Sequence, residues 1–247
     1  MSSEEGGGRD VWAGLHLAWA RWGDVPTGED WLSPREREVL GGLKLPKRRG
    51  DWLLGRWAAK CAVSSLLGRS AEPGPASSLE ILADPDGRPR PFTEAPGGGN
   101  STAPGPRESA IHLSISHAGG VGFAVAGRGG SAVGCDVEVV ESRSDAFVSD
   151  YFTDSERALV RRATAENRAV TANLIWSAKE SALKVLGEGL RMDTRQVEVD
   201  PESLTGGGNT SADAEWHPLG VSGPGGTRFG GSWRSRDGLV WTVLSAT

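Results

Sequence analysis

The sequence predicts an α+β chain built from two similar halves, and three observations carry that prediction. A helix-start signature occurs twice, as Leu32-Ser33-Pro34-Arg35-Glu36-Arg37 and as Phe152-Thr153-Asp154-Ser155-Glu156-Arg157. In each, a hydroxyl residue is followed three positions later by glutamate, the spacing of a reciprocal capping box. A long helical pattern follows each signature, and Arg56-x-x-x-Lys60 on the first is echoed by Glu180-x-x-x-Lys184 on the second. Short apolar runs bounded by Gly, Pro and Asp supply strands between the helices.

In chain order, Val11 to Ala20 reads as a strand. Ser33 then caps a helix, with Pro34 at its first position, where the missing N–H costs nothing. Asp51 to Leu67 predicts a long helix, because Trp52, Leu53, Trp57, Val63, Leu66 and Leu67 fall at helical spacing and Gly68 stops it. Leu79 to Leu82 is a short strand ending in the turn Asp84-Pro85-Asp86-Gly87. Residues Glu94 to Ser109, rich in Gly, Pro, Ser and Thr, offer nothing apolar to bury and predict a mobile insertion. The halves meet near Ala132, giving 1–132 and 133–247. A second glycine-rich stretch, Thr205 to Ser211, is a loop; neither stretch has the Lys-Ser/Thr ending of a phosphate loop. Phe229 to Trp233 and Leu239 to Ser245, joined at Asp237-Gly238, predict a closing hairpin.

The formal charge of −5 over 247 residues argues against a nucleic-acid partner. Two cysteines, Cys61 and Cys135, stand in apolar surroundings and imply no disulfide framework. The first residues, Met1-Ser2-Ser3-Glu4-Glu5-Gly6, have neither the basic nor the apolar part of a secretion signal, and no apolar run reaches the roughly 18 residues of a membrane span. The expectation is a cytoplasmic protein with no membrane partner.

Chemistry concentrates in two motifs. In Gly134-Cys135-Asp136-Val137-Glu138, positions i and i+2 of a strand face the same way, so Asp136 and Glu138 converge. In Trp176-Ser177-Ala178-Lys179-Glu180-Ser181-Ala182-Leu183-Lys184, Trp176, Glu180 and Lys184 share one helix face. Three carboxylates with a lysine one turn away suit Mg²⁺, which takes few protein ligands and leaves room for water and substrate phosphates. Asp136 is expected to face a solvated cleft. The bland alternatives are an exposed strand face and an ordinary i,i+4 helix pair.

Upstream stand Asp86-Gly87-Arg88-Pro89 and Ile111-His112-Leu113-Ser114-Ile115-Ser116-His117. With these, the chain resembles the Sfp-type 4'-phosphopantetheinyl transferases. Four of that family's signatures appear in family order: Gly-Arg-Pro, Ser-x-Ser-His, Gly-x-Asp-x-Glu, and Trp-x-x-Lys-Glu-Ser/Ala-x-x-Lys. The last is followed by Gly187-Glu188-Gly189-Leu190, and the resemblance spans about Val11 to Val199.

The resemblance implies two halves related by a pseudo-two-fold axis, with the active site at their junction. It implies transfer of the 4'-phosphopantetheine moiety of coenzyme A to a serine of an apo acyl or peptidyl carrier protein, releasing 3',5'-ADP. Asp136, Glu138 and Glu180 would hold Mg²⁺, with Glu180 also a candidate base and Lys184 the partner of the leaving phosphate. Ser116 and His117 match the family's coenzyme A strand. Arg49, Arg56 and Arg88 are phosphate candidates, since arginine meets phosphate oxygens in bidentate fashion; Arg56 has the alternative of pairing with a carboxylate. Lys179 is a further candidate for phosphate or carrier, ranked below Lys184. Glu156 is either an acidic site residue or only a capping-box member. Asp51 departs from the family, which often has a basic or hydroxyl residue four before the helix glycine, here Gly55. The stretch Trp52 to Lys60 resembles members serving polyketide and nonribosomal peptide assembly lines. One chain would form a complete site, so the expectation is a monomer. A non-catalytic coenzyme A or carrier-binding protein of the same fold, and a metal-dependent nuclease or phosphatase, are the rival readings.

Overall fold

The computed structural model describes residues 6–69, 79–93, 111–204 and 216–247, save the side chains of Thr93 and Leu190. The chain divides into two compact units, Met1–Gly130 and Ser131–Thr247. Both contain sheets and helices, the α+β composition expected from the sequence.

In the first unit, strands β1 (Gly8–Trp12), β2 (Leu15–Arg21), β5 (Ile111–Ala118) and β6 (Val121–Arg128) form an antiparallel sheet of order β1-β2-β6-β5. Residues Val11 to Ala20 are therefore a hairpin, not one strand. Ala13 and Gly14 turn the chain at positive φ, 49° and 81°, and a lone alanine there gives no turn signal. Ser33 caps α1 (Pro34–Gly42) through the predicted capping box. The long helix α2 (Pro46–Leu66) begins five residues earlier than its apolar pattern, because Pro46 sits in its first turn. Gly122 is where α2 meets the sheet, since a Cβ there would lie 2.4 Å from the Leu54 carbonyl. Strands β3 (Leu79–Ala83) and β4 (Pro89–Thr93) form a separate ribbon around the expected turn, closed by Gly87 N–H donating to Asp84 O at 2.9 Å.

In the second unit, β7 (Val133–Val139), β8 (Glu198–Val199), β9 (His217–Ser222), β10 (Arg228–Arg236) and β11 (Leu239–Ala246) form a sheet of order β7-β11-β10-β9-β8. The closing hairpin is present, with Asp237 and Gly238 both at positive φ. Helices α3 (Asp145–Tyr151) and α4 (Asp154–Arg162) precede the long α5 (Arg168–Leu186), which ends at Gly187 in the left-handed conformation. Leu174, Ile175, Ala178, Ala182 and Leu183 of α5 are buried in a core that includes Val240 and Leu244 of β11.

The two units repeat one buried device. In the first, the capping-box Glu36 is completely buried, pairs with Lys60 Nζ at 2.7 Å, and accepts from Ile81 N of β3 at 2.9 Å. In the second, Glu156 is equally buried, pairs with Lys179 Nζ at 2.8 Å, and accepts from Val199 N of β8 at 2.9 Å. Each lysine also donates to two carbonyls: Trp31 and Leu79 for Lys60, Thr194 and Val197 for Lys179. The counterpart of Lys60 is thus Lys179, not Lys184, which corrects the echo read from sequence. The expected insertion at 94–109 and the glycine-rich Thr205–Ser211 lie outside the described residues.

Candidate active site

Strand β7 and helix α5 assemble the carboxylates. Gly134, Asp136 and Glu138 project from one face of β7. Gly134 lets the helix close in, for a Cβ there would stand 2.0 Å from the Ser181 carbonyl. Ser177 and Ser181 lie one turn apart on α5, and their hydroxyls meet the Thr242 hydroxyl, each at 2.8 Å. Thr242 is the register partner of Asp136 in β11. Helix and strand are so locked together around Asp136.

Asp136 is buried, 4% exposed, rather than facing a solvated cleft. Lys184 reaches it from α5, its Nζ donating to Asp136 Oδ1 and to the Cys135 carbonyl, both at 2.9 Å. Burial opposes the Lys184 charge, but Asp136 outweighs it and the ammonium is held above its usual pKa. Glu138 accepts from Trp176 Nε1 at 3.0 Å on Oε1 and from Arg143 Nη2 at 2.9 Å on Oε2. Its carboxyl is raised, by burial first and by Asp136 second, against the pull of Arg143 and Trp176. Glu180 accepts no hydrogen bond among the described residues. Burial, with the Asp136 and Glu138 charges, pushes its pKa up to about 7 against Lys184.

These carboxylates fit a hard dication by their chemistry. Three mutually repelling oxygen donors share a half-buried site, and the raised Glu180 reports a negative potential that a cation would relieve. Their side chains stand apart: among the described residues no three His, Cys, Asp or Glu side chains have metal-holding geometry. The reason is local, since Asp136 is turned to Lys184 and Glu138 to Arg143 and Trp176.

The other expected site residues divide. Lys179 is fully enclosed with Glu156, so its expected contact with phosphate or carrier is corrected: it holds the fold. Arg56 is buried too, its guanidinium 4.4 Å above the Trp52 ring and 4.0 Å from Glu36, the carboxylate alternative rather than a surface phosphate contact. Burial lowers its pKa to about 10. Arg49 is engaged by Glu29 at 2.5 Å and the Leu40 carbonyl at 2.8 Å. Ser116 and His117 end β5; Ser116 is buried, and the half-exposed His117 has Nδ1 3.8 Å from Asp51 Oδ2. Asp51 also receives Lys47 Nζ at 2.9 Å, so the residue that departs from the family pattern sits between a lysine and a histidine. Arg88 precedes β4, its backbone N–H donating to Asp84 Oδ1 at 2.9 Å.

Sequence reading missed Arg143 and Asn173. Asn173 lies seven residues before Glu180, and that helical spacing was its one available signal. Arg143 sits in a loop, where no periodicity marks it.

The profile of the 4'-phosphopantetheinyl transferase superfamily matches residues 132–221. The chain is 36% identical over 88 residues to a holo-[acyl-carrier-protein] synthase of Streptococcus agalactiae, covering 36% of this chain and 65% of that protein. A holo-[acyl-carrier-protein] synthase of Streptococcus mutans is 38% identical over 86 residues, covering 35% and 62%. The chain thus spans a little under two thirds of the length of these curated relatives. The matched span contains β7, α5 and all three carboxylates with Lys184, and over it the chain is similar to the 4'-phosphopantetheinyl transferase superfamily.

Proposed function

We propose that the protein is an Sfp-type, Mg²⁺-dependent transferase that moves 4'-phosphopantetheine from coenzyme A to a serine of an apo acyl or peptidyl carrier protein. The observation that carries this reading is the set of Asp136, Glu138 and Glu180 with Lys184, within the span that matches the superfamily.

The serine oxygen attacks the phosphorus that bears the pantetheine arm, and the bond from that phosphorus to the bridging oxygen of 3',5'-ADP breaks. Glu180, which accepts no hydrogen bond among the described residues, takes the serine proton. Lys184 has three donors and spends two on Asp136 and the Cys135 carbonyl, leaving one for the charge that develops on the departing ADP. Asp136, Glu138 and Glu180 would hold Mg²⁺, which when bound supplies neutralisation of the diphosphate charge. From the first unit we assign Arg88, Ser116 and His117, with Arg49 released from Glu29, to the coenzyme A phosphates.

Incubation with coenzyme A, Mg²⁺ and a panel of apo carrier proteins, followed by intact mass, tests the reading. Carrier gains one phosphopantetheine with wild type and none with Asp136→Asn. Tight binding of coenzyme A without any gain in carrier mass would make the protein a binding protein instead.

A further inference from the structure

We propose that Asp51 is a specificity-determining residue for the donor: it offsets the grip of the first unit on the 3'-phosphate, so that coenzyme A and its 3'-dephospho form are both accepted. The inference rests on the reading given under Proposed function and deepens it by naming the class of donor.

The place of Asp51 is fixed by backbone packing. Helix α2 lies against β5 through Gly55, where an added Cβ would stand 2.8 Å from Ile115 Cγ2. It lies against β6 through Leu54, whose carbonyl would be 2.4 Å from a Cβ on Gly122. Asp51 is one helical turn before Gly55, and His117 follows Ile115 by two residues on the same strand face. The two side chains therefore meet. Asp51 Oδ2 lies 3.8 Å from His117 Nδ1, with the carboxylate 19% exposed and the imidazole 48% exposed.

The same Oδ2 accepts from Lys47 Nζ at 2.9 Å. A second carboxylate, Glu29, holds Arg49 at 2.5 Å. Two of the three cations in Lys47-Arg48-Arg49 are thus neutralised before any anion arrives.

The bond that breaks in the reaction lies in the diphosphate, which Lys184 and the carboxylates of the second unit serve. The first-unit contacts are left with the 3'-phosphomonoester, and one of them, His117, has a carboxylate beside its ring. A phosphomonoester carries a charge of about −1.5 to −2 near neutral pH. Accepting from His117 Nε2, it would face Asp51 across a single imidazole ring, close enough that salt screens the repulsion only in part. That repulsion offsets the hydrogen bond from His117, and the dephospho form, which lacks the charge, does not feel it. The 3'-phosphate is remote from the reacting bond, so the effect falls on KM rather than on kcat.

The test compares coenzyme A with 3'-dephospho-coenzyme A in the carrier-mass assay, and 3',5'-ADP with 5'-AMP by titration calorimetry. Wild type, Asp51→Asn, Asp51→Ser and Glu166→Gln are measured, with folding checked by circular dichroism. Glu166 is an exposed carboxylate of the second unit and controls for the change in net charge. Wild type should prefer coenzyme A by less than about tenfold in kcat/KM. Both Asp51 variants should raise that preference roughly three- to tenfold, through a lower KM for coenzyme A alone. Binding of 3',5'-ADP should tighten by the same factor, 5'-AMP should not respond, and Glu166→Gln should match wild type. A wild-type preference of about a hundredfold or more overturns the proposal. So does an unchanged preference in the Asp51 variants, or an equal rise in Glu166→Gln. A reduced preference in the Asp51 variants overturns it as well, and marks Asp51 as a group that orients His117 toward the phosphate. Should one Asp51 variant fail to fold, the other decides by the same criteria. A wild type that transfers phosphopantetheine from neither donor removes the proposed function and this inference together, a pattern distinct from failure of the inference alone.

Discussion

Glu180 has the most consequential titration in the second unit. Its folded carboxyl is raised from 4.5 to about 7, by burial first and then by Asp136 and Glu138. The unfolded chain releases this proton at the ordinary carboxylate pKa, and the folded protein releases it only near 7. Between those values the folded state holds more protons, so stability falls as pH rises through the window. Below it both states are protonated and the penalty is absent; above it both are ionised and the penalty is complete. After screening at this partly exposed position, the penalty is on the order of 1–3 kcal/mol. Glu180→Gln should therefore raise the urea midpoint of the metal-free protein at about pH 8 and leave it unchanged at about pH 4, while lowering kcat by several orders of magnitude, as loss of a base demands. Equal urea midpoints for variant and wild type at the higher pH would contradict the assigned electrostatics.

The contact of α5 with β7 makes the site possible, and it depends on the absence of a side chain at Gly134. An added Cβ would sit 2.0 Å from the Ser181 carbonyl, which belongs to helix backbone and cannot rotate away. Gly134→Ala should push α5 off the strand and disturb the Ser177–Thr242–Ser181 hydroxyl cluster. The expected loss is about 1–3 kcal/mol of stability, together with loss of transfer, because Glu180 and Lys184 ride on the displaced helix. Thermal melts and the carrier-mass assay read both effects; an active variant with an unchanged Tm would show that the strand yields instead. The β1–β2 hairpin shows the opposite case, a turn at Ala13-Gly14 whose first residue gives no local signal and is held left-handed by the pairing on either side.

Both units rest on a buried glutamate–lysine pair that links the capped helix, the long helix and a strand. Charges enclosed this completely are costly to isolate, and removing one partner typically costs about 3–5 kcal/mol while replacing both by apolar groups is often neutral. Lys179→Met should thus destabilise strongly in urea, and Glu156→Leu combined with Lys179→Met should recover most of the loss. If instead the double variant is as unstable as the single one, the backbone bonds from Val199 N and to Thr194 and Val197 matter more than the pair.

Local sequence determined the capped starts of α1 and α4, the stop of α5 at Gly187, the Asp84–Gly87 and Asp237–Gly238 turns, and the pairing of Asp136 with Glu138 on one strand face. Those features are set within a few residues, by hydroxyl–glutamate spacing, by glycine at positive φ and by strand alternation. Tertiary structure decided which charges are available for chemistry. Lys179 and Lys184, five residues apart on one helix, differ because α5 turns one into the core beside Glu156 and the other toward Asp136. Glu156 and Glu138 carry the same functional group, and only the folded surroundings differ: one is enclosed with Lys179, the other lies between Arg143 and Trp176. Burial and ion pairing are made between residues dozens of positions apart, and no local pattern records them.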